Sequence, residues 1–330
     1  MKLSKVVKKL RYRILIVVVA VSILIACGLF FLHKWDVRRG EFPEHEFENN
    51  TIVYEGQTYT LNRNIETFLL IGLDKFDLPE SEDSYNNDNL ADFLVLFVID
   101  NGAQTCTAIH INRDTMAEVA VLGVAGNPIY TVNQQIAFSY TYGNGRDVSC
   151  HNTAEAVSMT LKGIKVNHYA SITMDAVGIL NDLIGGVEVE ILDDFTNIDS
   201  TWVKGETVTL LGENALAYVR TRKGLEDSSN ANRMKRQQQY IQAFRDTVET
   251  RLEENSNLIV EGSLKVSDQI VSDRSIGQLQ NLVEKIERYE FLGILELEGE
   301  SKRGSEYVEF YPDEDAVAKL VVDLFYHLKK

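Results

Sequence analysis

Apolar and polar positions along this chain follow two periods, one of strands and one of helices. The runs Thr67-Phe68-Leu69-Leu70-Ile71-Gly72 and Phe93-Leu94-Val95-Leu96-Phe97-Val98-Ile99 are apolar on both faces, the pattern of central strands covered by helices on each side. Asn101-Gly102 offers a type I′ turn from the second run into Thr105 to Ile111, which predicts an antiparallel pair. Ahead of them, Ile52-Val53-Tyr54 and Tyr59-Thr60-Leu61 flank Glu55-Gly56 as a small hairpin. Asn152 is placed to cap a helix running to Lys162. Asp175 to Ile184 predicts a helix stopped by Gly185-Gly186, followed by a strand over Val187 to Ile191. A long helix is expected from Asn230 to Leu252 and another from Ser275 to Arg288. Strands near Leu292 to Leu297 and Tyr307 to Tyr311 precede Pro312, which is placed to open a last amphipathic helix. The expected fold class is α/β, a mixed central sheet covered by helices in α-β-α layers, without a compositional break after residue 61.

The N-terminal pattern is different. From Ile14 to Leu32 no residue is charged and Ser22 is the only hydroxyl. At about 1.5 Å per residue such a helix spans roughly 30 Å, the thickness of a bilayer core, so a transmembrane helix is expected over 14–32. Residues 1–13 carry Lys2, Lys5, Lys8, Lys9, Arg11 and Arg13 and no acid, which places them in the cytoplasm and the bulk of the chain outside the membrane. Leu24-Ile25-Ala26-Cys27 resembles a lipoprotein box that would acylate Cys27, but the apolar run continues to Leu32 and favours an uncleaved single-pass anchor. Residues 33–60 then form a tether and small hairpin, and 61–330 one extracellular domain.

Charge sharpens this division. The 330 residues include 33 Lys plus Arg and 49 Asp plus Glu. Six of those basic residues and none of the acids lie in 1–32, so the remainder carries a net charge of −22. A surface of that sign lacks the cationic footprint that duplex phosphates require, and no nucleic-acid partner is expected. Three cysteines cannot build a disulfide scaffold, although a Cys106–Cys150 bond stays open in an oxidising compartment. The histidines show no metal-ligand spacing, and there is no Gly-x-Ser-x-Gly, Walker loop or Cys-x-x-Cys, which argues against zinc and serine-hydrolase chemistry.

Against the acidic background, residues 220–236 hold six Lys or Arg and two acids. On a strand, Arg220 and Arg222 of Tyr218-Val219-Arg220-Thr221-Arg222 would share a face, and on a helix Arg233, Arg236 and Gln237 would share a side. Guanidinium forks held on rigid elements fit phosphate or pyrophosphate, while a solvated basic face or ordinary salt bridges would use the same residues. Asp74 follows one long strand and Asp92 opens the next, positions where two carboxylates and a bound phosphate would make a magnesium site and where simple caps or loop anchors also occur. Asn112-Arg113-Asp114-Thr115 ends a third strand, either as a turn or with Arg113 joining the anion site.

These pieces together resemble the LytR-CpsA-Psr family in the same order: Leu69 to Asp74, Ala91-Asp92, Asn112 to Thr115, Gly163 to Ile191, Gly212-Glu213 through Arg222, and Arg233-Met234-Lys235-Arg236-Gln237. The resemblance implies a transferase in the envelope of a Gram-positive-type cell. It would move a sugar-phosphate-linked glycopolymer from a polyprenyl pyrophosphate carrier to peptidoglycan. It implies Mg²⁺ on Asp74 and Asp92. Arg113, Arg220, Arg222 and Arg233 would be catalytic and, with Arg236 and Gln237, would bind the pyrophosphate. The alternative is a catalytically weakened member that binds lipid-linked glycopolymer as an envelope scaffold or regulator. Two departures stand out: Leu90 where the family commonly has arginine, and Asn230 where it commonly has aspartate. These two are expected to lie near one another, a neutral contact in place of an ion pair. Asn112, where the family commonly has proline, reads as loop variation.

Overall fold

The computed structural model describes residues 50–75, 88–123, 126–221, 224–225, 229–305 and 307–329. The basic N-terminus, the apolar run 14–32 with Cys27, the tether as far as residue 49, and Arg222 lie outside the described residues. Among the described residues no helix is long and apolar enough to cross a membrane.

In chain order the elements are β1 (Thr51–Tyr54), β2 (Gln57–Leu61), β3 (Ile65–Leu73), β4 (Ala91–Asp100), β5 (Thr105–Ile111), β6 (Met116–Leu122) and β7 (Pro128–Gln135). Next come α1 (Asp147–Thr160), β8 (His168–Ile172), α2 (Met174–Leu183), β9 (Val187–Glu190), β10 (Thr207–Leu210), α3 (Glu213–Arg220) and α4 (Asn230–Glu254). The rest are α5 (Leu258–Lys265), β11 (Ile270–Ser272), α6 (Ile276–Arg288), β12 (Glu290–Glu296), β13 (Gly299–Arg303), β14 (Val308–Pro312), α7 (Glu314–Phe325) and β15 (Tyr326–Leu328).

Among these, a six-stranded mixed sheet runs β11-β8-β3-β4-β5-β12. β3, β4 and β5 pair antiparallel, and β8 and β12 flank them in parallel with β3 and β5. The two-sided apolar pattern of β3 and β4 explains their central place. Leu69, Ile71, Leu94 and Leu96 face a core closed by Cys150, Ala154 and Val157 of α1 and by Val317, Val321 and Phe325 of α7. Phe68, Phe97 and Ile99 face the other side, closed by Leu279, Leu282 and Ile286 of α6. That spacing of three and four residues is a helical stripe, and α6 starts on a Ser275–Gln278 capping box. A second core gathers around β9 and β10, where Phe195, Trp202 and Tyr218 pack edge to face or tilted and α4 contributes Tyr240.

Several expectations are corrected. Tyr218-Val219-Arg220 is helical, the end of α3. Its β-forming residues suggested a strand, but burying Ala215 and Tyr218 three residues apart against the second core outweighs that local preference. Asn152 lies inside α1, buried, with Nδ2 donating to Ala120 O at 3.0 Å and Ser139 O at 2.7 Å. The role of helix start falls to Asn144, whose Oδ1 accepts from the N–H groups of Arg146 and Val148 at 2.9 and 3.2 Å. Asn101-Gly102 belongs to a four-residue connection between Asp100 and Thr105, in which Gln104, not Gly102, takes the left-handed conformation at φ 58°. Asp100 Oδ1 accepts from Gly102 and Ala103 N–H groups and so sets that wider turn. The two-residue loop with both φ positive is Glu55-Gly56, joining β1 to β2. β2 of this hairpin pairs with the C-terminal β15. Pro312 ends β14, and Asp313 caps α7 by accepting from the Asp315 and Ala316 N–H groups.

Candidate functional site

One end of the central sheet collects the carboxylates. β3 and β4 part at an irregularity beside Leu73, and the chain holds the gap closed through Asp74. The Asp74 N–H donates to Leu90 O at 3.2 Å, and Asp74 Oδ1 accepts the Leu90 N–H at 2.9 Å. Asp92 is the second residue of β4, and Leu94 pairs with Ile111 of β5, so the turn after β5 brings Arg113 beside Asp92. Asp74, Asp92 and Arg113 therefore come from three adjacent strands. Burial raises the Asp74 carboxyl above its ordinary range; the Leu90 N–H pulls the other way, and the nearby Asp92 charge adds to the rise.

Arginines from distant segments meet there. Arg113 Nη1 donates to Asp92 Oδ1, and Arg113 Nε lies 3.5 Å from Asp114. Arg233, from the first turn of α4, brings Nη1 to 3.7 Å from the other oxygen of Asp92 and is 4% exposed. Asp114 is fixed in turn by Gln135 Nε2 at 2.9 Å. Two guanidinium forks thus share one carboxylate.

Two neighbours were not singled out from the sequence. Asn112, read as loop variation, is buried and accepts two hydrogen bonds on Oδ1, from Asp114 N–H at 2.9 Å and from Asn230 Nδ2 at 2.6 Å. Asn230 thus hydrogen-bonds Asn112, and Leu90 meets Asp74 through its backbone. His110 is almost fully buried on β5, tilted against Phe93 at 5.1 Å. Burial, with Arg233 nearby, pushes its pKa down to about 3, so it is neutral at physiological pH. A single histidine in the apolar strand Thr105 to Ile111 was the available signal for it.

The rest of the basic stretch divides by burial. Arg236 is fully buried: Nε donates to Tyr218 O at 3.0 Å, Nη1 pairs with Asp193, Nη2 donates to Thr221 O, and the guanidinium lies over the Phe195 ring. Gln237 Nε2 donates to Val219 O at 3.2 Å. Both side chains cap the carbonyls at the end of α3. The expectation that Arg236 shares the anion-binding side of α4 with Arg233 is corrected accordingly. Arg220, the last residue of α3, is exposed, and Arg222 lies outside the described residues.

Comparison with known proteins bears on this arrangement. The model of the LytR_cpsA_psr family matches residues 40–319. The chain belongs to the LytR_cpsA_psr family. A polyisoprenyl-teichoic acid–peptidoglycan teichoic acid transferase TagU of Halalkalibacterium halodurans is 30% identical over 154 residues, 46% of this chain and 45% of that protein. The cell wall biosynthesis protein LcpA of Corynebacterium glutamicum is 30% identical over 169 residues, 47% of this chain and 32% of its own. The chain thus spans about half the length, or less, of these curated relatives. Among solved structures, TagT bound to LIIa-WTA superposes with a TM-score of 0.57 at 22% identity, covering 79% of this chain and 90% of that one. TagV of B. subtilis does so with a TM-score of 0.58 at 20% identity, covering 80% and 97%. These likenesses show the shared fold.

Proposed function

We propose that this protein is a membrane-anchored glycopolymer transferase of cell-wall assembly. It takes a sugar-phosphate-linked polymer from a polyprenyl pyrophosphate carrier and attaches it to peptidoglycan, with Mg²⁺ held by Asp74 and Asp92. Family membership and the transferase names of its relatives support the reading at the family level. The observation that carries it to residues is the meeting of Arg113 and Arg233, from opposite halves of the domain, on Asp92 beside Asp74.

The donor set fits magnesium. Asp74 and Asp92 offer hard oxygen ligands on neighbouring strands, and among the described residues no group of three His, Cys, Asp or Glu encloses a metal. Magnesium commonly keeps several waters and takes its other ligands from substrate phosphates, so two carboxylates suffice. When bound, the ion would neutralise charge developing on the pyrophosphate oxygens.

The chain's own residues do the rest. On arrival of the pyrophosphate, Arg113 and Arg233 exchange Asp92 for phosphate oxygens, which planar forks grip in pairs, leaving Asp92 as one of the two carboxylates that would hold Mg²⁺. Exposed Arg220, at the end of a helix braced by Arg236 and Gln237, adds cationic charge on the solvent side. The acceptor hydroxyl oxygen then bonds to the sugar-side phosphorus, the P–O–P bridge breaks, prenyl monophosphate leaves and the hydroxyl proton is released. Positioning and charge neutralisation account for such a step without a covalent intermediate. The test is incubation of the full chain, in detergent, with a synthetic prenyl-pyrophosphate-linked sugar, Mg²⁺ and acceptor glycan. Transfer supports the proposal. Tight binding without turnover would instead support the scaffold reading, and absence of both would overturn each.

A further inference from the structure

Two asparagines flank the arginines of the proposed site without taking part in the chemistry above. Asn112 immediately precedes Arg113, and Asn230 lies one helical turn before Arg233 at the start of α4. Asn230 Nδ2 donates to Asn112 Oδ1 at 2.6 Å, across 118 residues of sequence. Both residues are more than nine-tenths buried, with relative exposures of 7% each. α4 also begins on an ordinary cap, Ser229 Oγ accepting from Asn232 N–H at 3.1 Å, so the asparagine pair is not needed to start the helix.

We propose that Asn112 and Asn230 are a positioning pair that sets the separation of the Arg113 and Arg233 guanidiniums for a pyrophosphate. The inference rests on the anion reading above and assigns that site a part beyond its charges. Without anion, Asp92 holds both arginines. When an anion draws them off that carboxylate, the amide–amide bond is a link between their segments that survives.

The bond has a direction. Asn112 Oδ1 already accepts the Asp114 N–H, so position 230 must supply a donor. A carboxylate at 230 would face that oxygen with another acceptor in a desolvated place. A carboxylate at 112 would keep both acceptor roles. The same charge placed at the two ends of one hydrogen bond therefore has unequal effects.

The test measures the affinity of the full chain in detergent for inorganic pyrophosphate with Mg²⁺, together with apo melting temperature. Variants are Asn112→Ala, Asn230→Ala, their double, Asn112→Asp and Asn230→Asp. Each alanine change is expected to weaken binding about tenfold, and the double to lose about tenfold rather than a hundredfold, because one shared bond is removed. Asn112→Asp is expected to bind about tenfold more tightly than Asn230→Asp, and this comparison decides the matter if the alanine variants fold poorly. Equal affinities of the two aspartate variants, additive alanine losses, or melting losses with unchanged affinity would overturn the pair while leaving the anion site standing. Wild-type protein that binds no pyrophosphate would overturn the anion reading and this inference together.

Discussion

Asp92 balances two cations with one carboxylate, and the consequences of removing it differ from those of removing Asp74. In the metal-free protein, Asp92→Ala removes the carboxylate that Arg113 and the buried Arg233 share, and is expected to cost about 3 kcal/mol, read as a fall in apo melting temperature. Asp74 behaves oppositely because its carboxyl is held above its ordinary range, mainly by burial. Such a group stabilises the fold below the unfolded carboxylate pKa and loses that contribution as pH rises through its raised folded value. Asp74→Asn should therefore gain on wild type in divalent-free melting as pH is raised from about 3 to 7; a gap independent of pH would contradict this. His110 has the other sign. Its pKa is depressed to about 3, so its contribution is present above the unfolded histidine value of about 6.5 and is lost as pH falls toward the folded one. His110→Phe, which keeps a ring against Phe93, should flatten the fall in melting temperature over that acidic window; an unchanged slope would remove His110 from the account.

At the scale of elements, the end of α3 depends on α4. Arg236 and Gln237 satisfy the carbonyls of Tyr218, Val219 and Thr221, which as the last turn of a helix have no partners of their own. Arg236→Met removes those donors and leaves Asp193 buried with one partner fewer, so a loss of about 3 kcal/mol is expected in denaturant unfolding, partly recovered by Asp193→Asn. A variant as stable as wild type, but without pyrophosphate affinity, would return Arg236 to the anion site. Helical spacing alone placed Arg233 and Arg236 on one side of α4. What separates them is the position of Asp193 and the α3 carbonyls, set by tertiary packing that spacing does not contain. The same limit hid Asn112, whose partner lies 118 residues away. By contrast β3 and β4 were legible in advance, since their runs are apolar on both faces, as suits strands covered by helices on each side. The closeness of Asp74, Asp92 and Arg113 follows from the same pattern, because the end of β3, the start of β4 and the end of β5 lie at one end of antiparallel neighbours.

For the whole molecule, the sheet divides the interior. Cys150 belongs to the core beneath α1 and α7, and Cys106 to the core beneath α6, on opposite faces of the sheet, and both are free and buried. Burial pushes each thiol up to about 12. Both are expected to resist alkylation until the protein unfolds, and reduction should leave the intact mass unchanged; a two-dalton gain on reduction would contradict the separation of the cores. That architecture leaves one end of the sheet where Asp74, Asp92 and Asp114 lie near Arg113 and Arg233, the place proposed to break a pyrophosphate bridge. The most direct measurement is mass spectrometry of the acceptor glycan after reaction with a prenyl-pyrophosphate-linked sugar and Mg²⁺. The glycan should gain the sugar together with one phosphate, in step with release of prenyl monophosphate, and Arg113→Ala should abolish both. A glycan that gains sugar without phosphate, or full transfer by the Arg113→Ala variant, would contradict the account.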